Sequence, residues 1–362
     1  MLGVYIHIPF CKDICNYCDF CKMYYNKKYV EKYLYRLGEE IKERYKGEVI
    51  KSIYIGGGTP SVLDLSELEE LLKLIEIFQK SDNYEYTIEC NVETIDLEKL
   101  KIFKKYGINR LSFGVQSFDS EIIKKLGRHH DRELVVKTID LAKNYFKNIS
   151  IDLIYGVNED IEIVRKDIDS FLELDICHVS CYSLILEENT KMYLSGWKNI
   201  SEEIDLEMFK IINDKLKEKG YCHYEISNYA KVGYESWHNK NYWLNGIYYG
   251  FGLGAVSYLD NNRISNTKNM SKYLEGMYQD MCIYEDINIR KENDLILGLR
   301  LISGIDIDKF NKKYDDDLLN RMVIKDLIDD NYLEVVNNMI RCNYKYIYLL
   351  NIILEKIMGS DL

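Results

Sequence analysis

The sequence predicts an α/β fold: a partial, six-stranded (β/α) barrel followed by a small C-terminal α/β extension and a winged-helix-like unit. Three observations carry this. Six short β-branched and aromatic runs alternate with helical stretches over the first 220 residues. That rhythm stops near residue 221, and helical periodicity returns from about 290. Repeated strand–helix units imply a parallel sheet with helices outside it, and six units suit an open barrel better than a closed eight-fold one.

The predicted strands fall at 4–8, 52–56, 85–90, 110–116, 149–155 and 178–185. The helices, with apolar residues spaced by three and four, fall at 30–45, 66–79, 96–106, 131–146, 160–174 and 201–219. Ser66 and Glu69 have the spacing of a capping box ahead of Leu71, Leu72 and Ile75. Residues 1–220 are thus assigned to the barrel. Residues 221–289, rich in Tyr, Trp, Asn and Gly, read as a strand-and-loop extension. Residues 290–362 read as a small helical unit with a strand pair near 332–342.

Of 362 residues 47% are hydrophobic, the net charge is −11, and only two are proline. An acidic chain without a Lys/Arg run repels phosphate, so nucleic acid is not the expected partner. The beginning MLGVYIHIPFCK lacks a basic leader and is interrupted by His7 and Pro9, so neither a signal peptide nor a membrane span is expected. The cytoplasm is the expected compartment. There ten cysteines read as ligands or core residues rather than disulfides.

Cys11, Cys15 and Cys18 stand in C-x3-C-x2-C spacing on one predicted loop. Three thiolates hold three irons of a cubane and leave the fourth open to a small molecule. Zinc is the alternative, but it wants a fourth ligand at matched spacing. Cys21 stands near, yet no distant pair accompanies it, and it is not expected to ligate. Cys90, Cys177 and Cys181 read as core residues.

Gly56 to Pro60, GGGTP, end the second predicted strand, where glycines let backbone come close to a ligand. No G-K-[ST] follows, so this is not a P-loop, and GFGLG at 250–254 lacks dinucleotide-binding spacing. Glu89, Asn91, Gln116, Ser117 and Asp152 stand near other strand ends, the rim at which such folds bind ligands. Buried carboxylates there call for partners, which a zwitterionic, ribose-bearing ligand or an internal polar network would supply.

Taken together, the cysteine loop, GGGTP, GVQSF-x8-GRHH and the YEISNYA, HNKNYW and GFGLGAVSY segments resemble radical S-adenosylmethionine (SAM) proteins. The likeness is strongest to the HemW haem-chaperone branch of the oxygen-independent coproporphyrinogen III oxidase (HemN) group. It runs from residue 2 to about 300. It implies a [4Fe–4S] cluster on Cys11, Cys15 and Cys18 whose open iron takes SAM. Gly57, Gly58 and Thr59 would line the methionine end of SAM. Arg128 and Gln116 would stand near its carboxylate, and Glu89 and Asp152 near its other polar groups. Tyr5 and Tyr17 would border both cofactors. The resemblance further implies haem as cargo, a haem-acceptor protein and an electron donor as partners, and His238 of HNKNYW as a haem ligand. His7 is expected behind the site, His130 matches the branch pattern, and His129 is expected on the surface. The alternative is a porphyrinogen-decarboxylating enzyme of the same superfamily. Phe20, standing where the oxidases carry an extra cysteine, favours the chaperone branch, whereas Val92 and Val157–Asn158 replace prolines usual in it.

Overall fold

The computed structural model describes residues 2–359. β1 (Gly3–Ile8) runs into a cysteine loop held between the two-residue strands β2 (Phe10–Cys11) and β3 (Met23–Tyr24). There follow α1 (Lys27–Arg44), β4 (Ile50–Gly57), α2 (Leu65–Ile75), β5 (Lys80–Asn91), α3 (Leu97–Lys105) and β6 (Arg110–Gln116). Next come α4 (Ser120–Lys125), α5 (Arg132–Lys143), β7 (Asn148–Tyr155), α6 (Ile161–Glu173), β8 (His178–Ser183), α7 (Lys191–Leu194) and α8 (Glu202–Glu218). β1, β4, β5, β6, β7 and β8 are neighbours in that order, all parallel. The six-unit open barrel is therefore the observed architecture.

Alternate strand residues explain the layering. Ile53, Ile55, Ile88, Leu111, Phe113, Ile151 and Val179 pack outward against Leu34, Leu68, Leu71, Phe103, Ile139 and Phe171 of the helices, all buried. The intervening positions are polar, and the register sets them side by side: Tyr54 beside Thr87, Glu89 beside Ser112, Ser112 beside Ser150, Asp152 beside Ser180. The barrel lumen is thus polar, and the apolar layer lies between strands and helices.

Two expectations need correction. The cap of α2 is Asp64, not Ser66. The Asp64 carboxylate accepts from the Ser66 and Glu67 amides, and Glu67 returns a bond to the Asp64 amide. The second concerns residues 221–289, which hold a helix among the expected strands and loops. β9 (Cys222–Glu225) and β10 (Asn228–Ala230) extend the β8 edge of the sheet. α9 (Trp237–Trp243) crosses over, and β11 (Tyr248–Phe251) joins the opposite edge, parallel to β1. β12 (Val256–Leu259), β13 (Asn262–Asn266), α10 (Met270–Leu274) and β14 (Gln279–Tyr284) complete a twelve-stranded sheet. Tyr249, Phe251, Tyr273 and Tyr278 share the barrel's own core. α9 itself was not expected. It is a short helix whose first amides are met by a side chain distant in sequence, Glu85.

The C-terminal unit has its own core, including Leu295, Phe310, Leu327, Ile340 and Ile353. It comprises α11 (Ile287–Gly298), β15 (Ile305–Asp306), α12 (Ile307–Tyr314), α13 (Met322–Asp329), β16 (Leu333–Val336), β17 (Met339–Cys342) and α14 (Leu350–Met358). β16 and β17 form the expected hairpin. Its turn residues Asn337 and Asn338 both have left-handed backbones, which asparagine tolerates. Among the described residues no helix is long and apolar enough to cross a membrane.

Candidate functional site

At the C-terminal ends of the parallel strands lies a cavity of about 510 Å³. Cys11, Cys15 and Cys18 line one side of it, and Tyr17, Gly57, Gly58, Thr59, Glu89, Gln116, Arg128 and Asp152 line the rest. Residues spread over about 140 positions of sequence are thus brought to one hollow by the ends of β1, β4, β5, β6 and β7.

The cysteine loop is anchored on three sides. Backbone bonds from Met23 to Pro9 (2.7 Å) and Tyr25 to Cys11 (2.8 Å) tie its ends together. Asn16 pins its middle to the end of α4, through its amide to Leu126 O at 3.0 Å and its side chain to Lys125 O at 2.9 Å. The Met192 amide closes over the Asn16 carbonyl at 3.0 Å. Burial pushes the Cys11 thiol up to about 11, against a 3.7 Å contact from Thr59 Oγ1. Among the described residues no three His, Cys, Asp or Glu side chains converge closely enough to hold a single metal ion.

Cys21 does not line the cavity. Its thiol lies against Gly254, and its carbonyl accepts a 2.7 Å bond from His7 Nε2. His7 is buried and held neutral, its pKa lowered to about 4 by burial, with Nδ1 meeting the Tyr5 hydroxyl at 3.0 Å. Tyr5 therefore stands one layer behind the cavity wall rather than on it.

The glycines act in a way the sequence did not specify. Gly57 has φ +111°, and a Cβ there would fall 2.4 Å from the His7 ring. A Cβ on Gly58 would fall 2.8 Å from the Ile8 and Phe10 carbonyls, and the Gly58 amide donates to Ile8 O at 2.8 Å. GGGTP therefore fits the strand end against the root of the cysteine loop as well as lining the cavity.

Arg128 follows α4 and is fixed by Asn91 Oδ1 at 3.1 Å, Gly114 O at 2.9 Å and the Glu93 carboxylate at 3.3 Å. Burial opposes ionisation of Glu93, yet the His130 hydrogen bond and the Arg128 charge hold it down to about 2. Gln116 has φ +64°, a conformation rare for a side chain of its size, at a shift in register between β6 and β7. The Asp167 carboxylate holds the following turn through Ser117 Oγ and the Phe118 amide, each at 2.7 Å. Gln116 Oε1 and Arg128 Nε are both buried with no hydrogen-bond partner in the protein. A ligand with polar groups fits there, since such atoms are costly when left unmet.

Glu89 accepts from Tyr54 OH at 2.8 Å and from the Gly57 amide at 3.0 Å. Burial pushes its carboxyl up to about 7 and also raises Asp152. Two carboxyls in one hollow suit a cationic or hydroxyl-bearing ligand. Sequence reasoning missed Tyr54, Glu93 and Tyr182. The period-two polar pattern of the strands, which continues through Tyr54 and Tyr182, was the available signal for two of them.

His238 lies outside this cavity. It is 1% exposed; Nδ1 meets Ser52 Oγ at 3.0 Å and Nε2 meets the Tyr242 hydroxyl at 2.9 Å. Neither nitrogen is free for a metal in this arrangement, which corrects the expectation of an accessible ligand. His129 is exposed and His130 buried.

A model described as Radical SAM superfamily matches residues 5–169. The chain is 37% identical over 372 residues to a Lactococcus lactis protein named Heme chaperone HemW, covering 99% of this chain and 98% of that one. It is 38% identical over 347 residues to the Bacillus subtilis protein of the same name, covering 91% and 92%. The solved structure of coproporphyrinogen III oxidase (HemN) from Escherichia coli, titled a radical SAM enzyme, matches with TM-score 0.87 at 23% identity, over 99% of this chain and 90% of that one, and so shares the fold. With nearly its whole length aligned to such relatives, and its cysteine loop inside the matched superfamily domain, the chain belongs to the HemW haem-chaperone family of radical SAM proteins.

Proposed function

We propose that this chain binds haem and passes it to an acceptor protein, with a [4Fe–4S] cluster and SAM held in the cavity above the barrel. The observation that carries the cofactor reading is the joint lining of one hollow by Cys11, Cys15 and Cys18 and by Gln116 and Arg128, whose buried polar atoms are unmet. The relatives' name carries the haem reading.

Cys11, Cys15 and Cys18 would ligate the cluster, and Cys21 would not. Arg128 and Gln116 would hold the SAM carboxylate, which a guanidinium suits. Glu89 and Asp152 would take its amine and ribose hydroxyls, with Gly57, Gly58, Thr59 and Tyr17 shaping the wall. Reductive cleavage of SAM to methionine and a deoxyadenosyl radical is the chemistry this pair of cofactors supplies when both are bound. An electron donor is a required partner for that chemistry and not for haem carriage.

Protein reconstituted with iron and sulfide without oxygen is titrated with haem while the Soret band is followed, and SAM binding is measured on the same sample. A saturable Soret shift with SAM-responsive cluster spectra is expected. No shift in the wild-type protein would end the haem reading. Expression in a strain lacking oxygen-independent coproporphyrinogen oxidase separates the enzyme alternative: the chaperone reading expects no rescue.

A further inference from the structure

We infer that His238 is a positioning residue for the cofactor cavity, acting through the Tyr54 ring on the Glu89 carboxylate. The inference rests on the proposal that this cavity holds SAM.

The geometry is a short relay. The His238 imidazole stacks on the Tyr54 ring with centroids 5.1 Å apart and planes 27° apart. Tyr5 lies tilted toward that ring at 6.3 Å. Held by these two neighbours, the Tyr54 hydroxyl donates to Glu89 Oε1 at 2.8 Å. The Glu89 carboxylate is confined in turn, since a Cβ on Gly56 would come within 2.7 Å of it. Tyr54 and Glu89 both line the cavity, and His238 stacks on Tyr54 without lining it.

His238 is itself fixed on every side. Ser52 Oγ and Tyr242 OH take its two nitrogens, and burial lowers its pKa to about 3, so the ring stays neutral. A neutral imidazole has one donor and one acceptor, and two hydroxyls satisfy both. Its backbone amide donates to Glu85 Oε1 at 3.0 Å, while Trp237 N and Ser236 Oγ donate to the same carboxylate. Glu85 and Glu89 lie two turns of the pleat apart on β5, on one face of the strand. The HNKNYW segment thus closes the lumen from below and sets the height of the residues above it. Truncating His238 removes the surface on which the Tyr54 ring rests.

The test uses cluster-loaded, full-length protein. SAM affinity is measured by equilibrium dialysis, SAM-induced change in the spectrum of the reduced cluster by electron paramagnetic resonance, and haem by the Soret titration. His238→Ala is expected to weaken SAM binding about tenfold, the effect of one displaced buried hydrogen bond, with the Soret titration unchanged. Tyr54→Phe weakens it similarly, and the double variant is no weaker than either single one, because both act on the same contact. A core truncation away from the relay, Ile139→Val, lowers stability and leaves SAM affinity alone. Ser52→Ala, which deletes one hydroxyl, shifts SAM affinity in the same direction and keeps the inference testable should His238→Ala fail to fold. Wild-type SAM affinity in His238→Ala and Ser52→Ala, or additive losses in the double variant, overturns this inference alone. Loss of the Soret shift in His238→Ala with SAM binding intact overturns it in favour of an iron ligand. Wild-type protein that binds no SAM overturns both this inference and the reading beneath it.

Discussion

Asn91 joins the cysteine loop to Arg128: its Oδ1 accepts from Arg128 Nη1 at 3.1 Å, and its Nδ2 donates at 3.3 Å to Thr59 Oγ1, which touches the Cys11 thiol. The guanidinium is oriented by this bridge and by Glu93, leaving Nε unmet in the protein. Arg128→Ala is therefore expected to cost about 2 kcal/mol of SAM binding, the worth of a charge-assisted hydrogen bond. Iron content should hold near the wild-type level. Equilibrium dialysis beside iron analysis checks both.

Cys11→Ala, Cys15→Ala and Cys18→Ala should each lose most reconstituted iron, and Cys21→Ala should keep it. Cys21 faces Gly254 and not the cavity. Iron and sulfide analysis with the visible absorption of the reconstituted protein decides this. Equal loss in all four variants would refute the ligand set.

Glu89 has a carboxyl raised from 4.5 to about 7, chiefly by burial. A carboxyl raised in the folded state contributes its full stability below its unfolded value, and that contribution is lost as pH climbs through about 7. Unliganded Glu89→Gln should therefore match the wild type near pH 4 and exceed it by about 3 kcal/mol near pH 8. Urea unfolding at the two pH values measures it. If Glu89 pairs with a cationic group of SAM, wild-type affinity rises through the same window, and the Gln variant is flat.

Gly57→Ala combines a left-handed backbone with a Cβ 2.4 Å from the His7 ring. A loss of about 3 kcal/mol is expected. Gly47→Ala has a comparable φ of +92° and open space around it, so it should lose only about 1 kcal/mol. Denaturant unfolding of the pair separates clash from backbone strain.

Glu40 is fully buried and accepts from Arg44 Nη1 (2.6 Å), Tyr273 OH (2.7 Å), Asn266 Nδ2 (2.7 Å) and the Gly252 amide (2.9 Å). It ties α1 to the strands added at the β1 edge. Glu40→Ala should destabilise the protein by about 3 kcal/mol, because it strands buried donors. Thermal unfolding should show this without loss of iron binding in folded protein at low temperature.

The repeat of strand and helix is legible in the chain, since period-two and period-3.6 patterns are local properties that each segment carries. So are the cysteine loop and GGGTP, whose residues lie within a few positions of one another. The convergence of Cys11, Glu89, Gln116, Arg128 and Asp152 was legible only because strand ends of a parallel barrel meet at one rim. Only packing sets what His238, Glu85 and Glu40 do, because Ser52, the α9 amides and the Gly252 amide lie on elements remote from them in the chain. It also decided that residues 222–284 split between the two edges of the sheet, since open strand edges accept any chain that reaches them in register.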